Sequence, residues 1–223
     1  MNLDTVIKSH THAIGGYAAV ENLQSIQTHF HLVEPKFEVD GIYAADRKGS
    51  MRVDIYAGDV RVFSEGYDGA SGWQLPQNAQ SGISTSPAGT RALLHGIENQ
   101  LYGLHEFQSR GHKLELTGEE VIDDTTYHLI KITYQDGNEI WRYVNATSWL
   151  VERTRERKAL HPDVDPIETV LETRLSDFRK TDGILRAFHE EQVDMSTNQV
   201  VQTTHVKELM VNPILNIGFF DCP

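Results

Sequence analysis

The sequence predicts a mainly β (α+β) fold, built on one large antiparallel sheet with a few short helices. An Asp-Gly pair between strand-like runs recurs at Asp40-Gly41, Asp68-Gly69, Asp136-Gly137 and Asp182-Gly183. Asp-Gly tolerates the positive φ angles of a tight reversal, so each pair predicts a hairpin. The clearest case joins Tyr127–Tyr134 to Glu139–Val144 through Asp136-Gly137. A second observation is period-two alternation, with Met51, Val53 and Ile55 on one face and Arg52, Asp54 and Tyr56 on the other. The third is size: 223 residues at 39% hydrophobic content fit one domain, 1–223, with a real core. A sheet made of consecutive hairpins must bury a face against a helix, another sheet or a ligand.

Taken in order, residues 3–13 read as an amphipathic helix, with Leu3, Val6, Ile7 and His10 on one side. Asp4 sits near its start, where a carboxylate suits the helix dipole. Gly15-Gly16 interrupts it, and a second helical turn covers about 17–25. Strands are predicted at about 26–33, 37–45, 49–57, 59–67 and 72–75. Pro, Gly, Ser, Asn and Gln dominate 76–90, which reads as a loop. Helical spacing follows over 92–107, weakened by Gly96 and Gly103 at about 1 kcal/mol each relative to Ala. Loop and helix together, about 76–110, have the composition of a lid. Further strands are expected at about 112–117, 126–135, 138–145, 148–157, 167–178, 184–194 and 198–211. The closing segment 211–223 reads as a tail packed by Ile214, Phe219 and Phe220.

Composition narrows the function. A net charge of −12 argues against nucleic acid or an anionic membrane surface as the main partner. No run approaches the roughly 18 apolar residues of a membrane helix, so an integral membrane protein is not expected. The single cysteine, Cys222, allows no internal disulfide. No Gly-rich phosphate loop, nucleophile elbow or paired-cysteine metal motif is visible.

Several phrases in order resemble the outer-membrane lipoprotein-sorting (LolA-like) family. They are Ala13-Ile-Gly-Gly16 followed by Leu23-Gln-Ser-Ile26, then Tyr67-Asp-Gly-Ala-Ser-Gly-Trp73, then Gly111–Gly118 and the hairpin at Asp136-Gly137. Glu172–Arg179 with Asp182-Gly183, and Val211-Asn-Pro with Phe219-Phe-Asp-Cys-Pro223, complete the set. The resemblance implies a strongly curved, incomplete antiparallel barrel whose mouth is covered by N-terminal and lid helices. It implies a periplasmic carrier that holds a lipid, an acyl chain or another apolar molecule, with a lipoprotein or membrane-anchored partner. No leader is visible at Met1, and a native start there would instead mean a cytoplasmic protein. The chain departs from the family's carrier in its extra sequence at 76–90 and 158–168 and in its eleven histidines.

The ligand-binding candidates are Tyr43, Phe63, Trp73, Trp141 and Tyr143 on strands, with Leu94, Ile97 and Leu101 from the lid helix. Aromatic and aliphatic side chains on a concave face would bury an apolar ligand, although ordinary core packing uses the same residues. The resemblance gives an early-strand arginine a gating role, for which Arg52 is the candidate and Arg47 the competitor. An alternative function is an enzyme acting on a small apolar or aromatic substrate. Its acid–base or metal chemistry would fall to His29, His31, His189 and Glu191, because a two-residue step on a strand points both side chains to one face. No metal or other cofactor is otherwise expected. A third possibility is a sensor domain that docks another protein through an exposed apolar patch.

Overall fold

The computed structural model describes residues 1–222. Thirteen strands dominate. The first six are β1 (Ser25–Glu34), β2 (Phe37–Asp46), β3 (Met51–Ala57), β4 (Val60–Tyr67), β5 (Gly72–Pro76) and the two-residue β6 (Ile83–Ser84). After the helical region come β7 (Lys113–Ile122), β8 (Thr125–Thr133), β9 (Glu139–Asn145) and β10 (Val151–Lys158). The series ends with β11 (Thr169–Thr181), β12 (Ile184–Asp194) and β13 (Gln199–Val211). The helices are α1 (Leu3–Ala13), α2 (Tyr17–Glu21), α3 (Pro87–Leu101) and α4 (Leu104–Phe107). The strand order is β6-β5-β4-β3-β2-β1-β13-β12-β11-β10-β9-β8-β7. Among the described residues the end strands β6 and β7 do not pair with each other, so the sheet does not close into a barrel.

The chain divides into two compact units. The first comprises Met1–Asn22, Tyr102–Lys158 and Glu168–Val201. Here Asn2 caps α1, its Oδ1 accepting the Thr5 backbone N–H at 2.9 Å. The predicted apolar side of α1 is the buried one, with Val6, Ile7 and His10 inside. Beneath the helices Ile130, Ile132, Ile140 and Val144 form the core with Leu104 and Phe107, each at most 3% exposed. Asp182 and Gly183 both have positive φ, 47° and 90°, as the tight turn between β11 and β12 requires.

The second unit comprises Leu23–Leu101, Ala159–Ile167 and Gln202 onward. Its ladder runs β5, β4, β3, β2, β1 and then β13, where Ile26 faces Val211. Asp40-Gly41 is not a turn here but the middle of β2, and the chain reverses between Glu34 and Phe37 instead. The glycine is needed for space: a Cβ on Gly41 would lie 2.1 Å from the ring of Phe30, its partner on β1. Helix α3 starts at Pro87, earlier than its apolar spacing indicates. Ser86 caps it by accepting the Gly89 N–H at 3.0 Å, and Pro87 occupies the first helical position, where no N–H is needed. Ile214 is fully exposed and packs nothing, unlike Phe219 and Phe220, whose rings meet edge to face at 5.2 Å.

Candidate functional site

Residues directly opposite one another in an antiparallel ladder share a face. Four rows therefore sort the side chains of β1–β5. Thr28, Tyr43, Val53, Glu65 and Gln74 form one row, and Phe30, Gly41, Ile55 and Phe63 the next on the same face. Gln27, Ala44, Arg52, Gly66 and Trp73 point the other way, as do His29, Ile42, Asp54, Ser64 and Leu75.

The first two rows face α3, which packs on β2, β4 and β5. Between them lies a cavity of about 320 Å³. Its wall includes Phe30, Tyr43, Met51, Val53, Phe63, Glu65 and Gln74 from the strands, and Gly89, Ala92, Leu93 and Gly96 from the helix. Leu160–Val164 completes it. This volume is at the low end of the roughly 300–1,000 Å³ typical of small-molecule sites.

The polar part of the wall is built around the 160–164 segment. Asp163 accepts the Ser86 backbone N–H and the Gln74 amide, each at 2.8 Å, which fixes the segment against the start of α3. His161 Nε2 lies 2.8 Å from Glu34 Oε1, an oxygen that also accepts from Gln202. Burial pushes the Glu65 carboxyl above its ordinary range, and the charge of Asp163 adds to the shift, while His161 and Gln74 oppose it. The Tyr43 hydroxyl is buried with no hydrogen-bond partner, and burial raises its pKa.

The candidates distribute unevenly around this cavity. Tyr43 and Phe63 line it. From α3 the wall takes Leu93 rather than Leu94, which is 37% exposed; Ile97 and Leu101 are buried in the same helix. Arg52 and Trp73 lie on the opposite face. There Trp73 lies across Gly66, whose added Cβ would meet the indole at 2.6 Å, and its Nε1 donates to the Phe220 carbonyl at 3.0 Å. Arg52 forks onto Asp54 at 2.8 and 2.9 Å and donates to the Phe219 carbonyl. Its contacts are thus with the closing segment, not with α3.

Arg47 holds the helix instead. Its Nε donates to the Leu23 carbonyl at 2.6 Å and its Nη2 to the Leu101 carbonyl at 2.9 Å, at the C-terminus of α3, where a cation also suits the dipole. Arg47→Met is expected to cost about 1.5–3 kcal/mol, the range for charged hydrogen bonds. It should also speed amide hydrogen exchange in the last turn of α3, and unchanged exchange there would remove the anchoring role.

His29 and His31 belong to rows facing away from the cavity. His31 Nδ1 lies 3.0 Å from Asp40 Oδ1, and His29 lies 3.1 Å from the Gln27 amide. In the other unit His189 pairs with Glu191 at 3.5 Å. Trp141 and Tyr143 share that unit's arginine-bearing face. There Lys131 lies 5.3 Å from the centre of the Trp141 ring, and Arg155 lies 4.6 Å from that of Tyr143. No group of three or more His, Cys, Asp or Glu with metal-holding geometry occurs among the described residues. Sequence reasoning missed Glu65, Gln74, His161 and Asp163. A usable signal was present in β4, where Glu65 continues the stripe of Phe63 while Val53 stands opposite.

Solved structures share this arrangement of strands and helices along nearly their full length. A LolA superfamily protein from Nitrosomonas europaea superimposes with a TM-score of 0.65 at 12% identity, covering 98% of this chain and 97% of that one. The chain has a LolA-like fold. A DUF1329 family protein from Desulfovibrio piger superimposes at 0.63 with 11% identity, covering 99% and 98%. A putative outer membrane lipoprotein-sorting protein domain from Vibrio parahaemolyticus gives 0.60 at 9% identity over 97% and 95%. No protein-family profile and no curated protein matches the chain. At these identities the likeness concerns the LolA-like fold alone.

Proposed function

We propose that this LolA-like chain is a binding or carrier protein that holds a small apolar molecule, such as an acyl chain, in the cavity under α3. The observation that carries the reading is the cavity itself, in which Phe30, Phe63 and Leu93 offer apolar surface and no side chain fills the space. A recess of this size lined mainly by apolar side chains with a few polar groups has the make-up of a small-molecule site. Burying a ten-carbon chain would contribute about 8 kcal/mol before association costs, at about 0.8 kcal/mol per methylene. The likeness to a lipoprotein-sorting domain supports a lipid-like ligand and a periplasmic setting, with a lipoprotein or membrane-anchored protein as donor or acceptor. No helix among the described residues is long and apolar enough to cross a membrane.

Gly96 gives a test that separates binding from folding. It lines the cavity, and a Cβ added there meets nothing within 4 Å. Gly96→Phe should fill the cavity from the helix side while keeping the fold, because replacing a mid-helix glycine recovers part of its cost of about 1 kcal/mol relative to Ala. The wild type should bind the neutral fluorescent probe N-phenyl-1-naphthylamine, and Gly96→Phe should bind it at least tenfold more weakly with no loss of thermal stability. Equal binding by both proteins would move the ligand out of this cavity, and no binding by either would sink the carrier reading.

A further inference from the structure

The cavity has a chemical sign as well as a size. Its wall contains two carboxylates, Glu65 and Asp163, and neither lysine nor arginine. The only cationic candidate there is His161, whose Nε2 is engaged by Glu34. Asp163 is satisfied by the Ser86 N–H and the Gln74 amide. Glu65 shares Gln74 as a hydrogen-bond partner: it projects from the middle of β4, with Val53 opposite it on β3, Gln74 opposite it on β5 and Phe63 two residues before. Two strands away in the same row, the Tyr43 hydroxyl is a second buried polar atom, and it has no partner. A buried polar atom without a partner is destabilising, so a ligand that supplies one recovers that loss.

An ordinary fatty acid would bring a third carboxylate into this space, and like charges in a recessed site repel strongly. A protonated amine reverses the sign of the interaction. It also carries several N–H donors and so suits both acceptors, the Glu65 carboxylate and the Tyr43 oxygen. We propose that the cavity selects an apolar ligand bearing a protonated amine, and discriminates against the same apolar body bearing a carboxylate, through Glu65 with support from Tyr43. This inference rests on the carrier reading and adds the class of head group to it.

The test compares three ten-carbon ligands, 1-decanol, decylamine and decanoate, by displacement of N-phenyl-1-naphthylamine at pH 7 below their micellar concentrations. Decanol reports the apolar cavity alone. Decylamine is expected to bind at least tenfold more tightly than decanol, and decanoate at least tenfold more weakly. Glu65→Gln should abolish the advantage of the amine over decanol, and a cooperative thermal unfolding transition reports that the variant has folded. Tyr43→Phe should reduce the amine advantage by a smaller factor. If decanol binds and decylamine binds no better, the selection is overturned while the carrier reading stands. If decanol itself fails, the carrier reading falls and takes this inference with it. An amine advantage that survives Glu65→Gln is adsorption to an acidic protein surface, and it overturns the assignment to Glu65.

Discussion

Replacing Glu172 with leucine is expected to cost about 3–5 kcal/mol of folding stability, the range for removing one partner from a buried ion pair. Glu172, on β11, is 1% exposed. Its carboxylate accepts from Arg153 at 2.8 Å, from Arg155 at 2.5 Å and from Arg174 at 2.8 Å. Arg155 also donates to the Tyr143 hydroxyl at 2.7 Å, and its guanidinium stacks on that ring. Burial alone would raise the Glu172 pKa, but the arginine hydrogen bonds outweigh it and the net shift is downward. Leucine would leave three guanidiniums facing one another without their shared anion. Glutamine keeps one acceptor and should lose clearly less. Urea unfolding of both variants is the measurement, and a loss below 1 kcal/mol in Glu172→Leu would mean that solvent screens the cluster.

Acidification should destabilise the same unit through His10. Its side chain is 6% exposed, and burial lowers its pKa from 6.5 to about 4. The neighbouring charges of Arg142, Arg186 and His105 act in the same direction, while the bond to the Trp149 carbonyl, 2.9 Å from Nδ1, opposes them. The unfolded chain takes up the proton near 6.5 and the folded one resists until about 4. The contribution is therefore complete above pH 6.5 and lost as pH falls toward 4, at about 1.4 kcal/mol per unit and about 3 kcal/mol in all. The depressed carboxylate of Glu172 acts in the same sense, but only below the ordinary glutamate value of 4.5. Melting curves at pH 7.5, 6, 5 and 4 for the wild type and His10→Gln separate the two, since the variant should lack most of the wild type's loss between pH 6.5 and 5. A variant as pH-sensitive as the wild type across that interval would rule out His10 as the origin.

The sheet was legible in the sequence because hairpins are local. Asp68-Gly69, Asp136-Gly137 and Asp182-Gly183 all reverse the chain, and the alternation from Met51 to Tyr56 marks two real faces. Asp40-Gly41 misled because a glycine can be required by a neighbour's ring as well as by a turn, and Phe30 lies eleven residues away. Which face holds the cavity was not legible. Alternation separates Tyr43 from Arg52 but does not say which of them is inside. That depends on where α3 lands and where the closing segment runs, and both are long-range outcomes. The cavity's polar residues were hidden for the same reason: Asp163 reaches Gln74 across 89 positions of sequence.

The pairing of β1 with β13 has a consequence for how the protein is made. Ile26 meets Val211, so β1 must wait for β13, made much later in synthesis, before its ladder is complete. Until then β1 offers unpaired N–H and C=O groups along one side, a template for pairing with another chain. Sequence separation of this kind also slows folding, because loop closure precedes the contacts that reward it. A nascent or truncated chain lacking residues 202–211 therefore carries an aggregation hazard that the finished molecule does not.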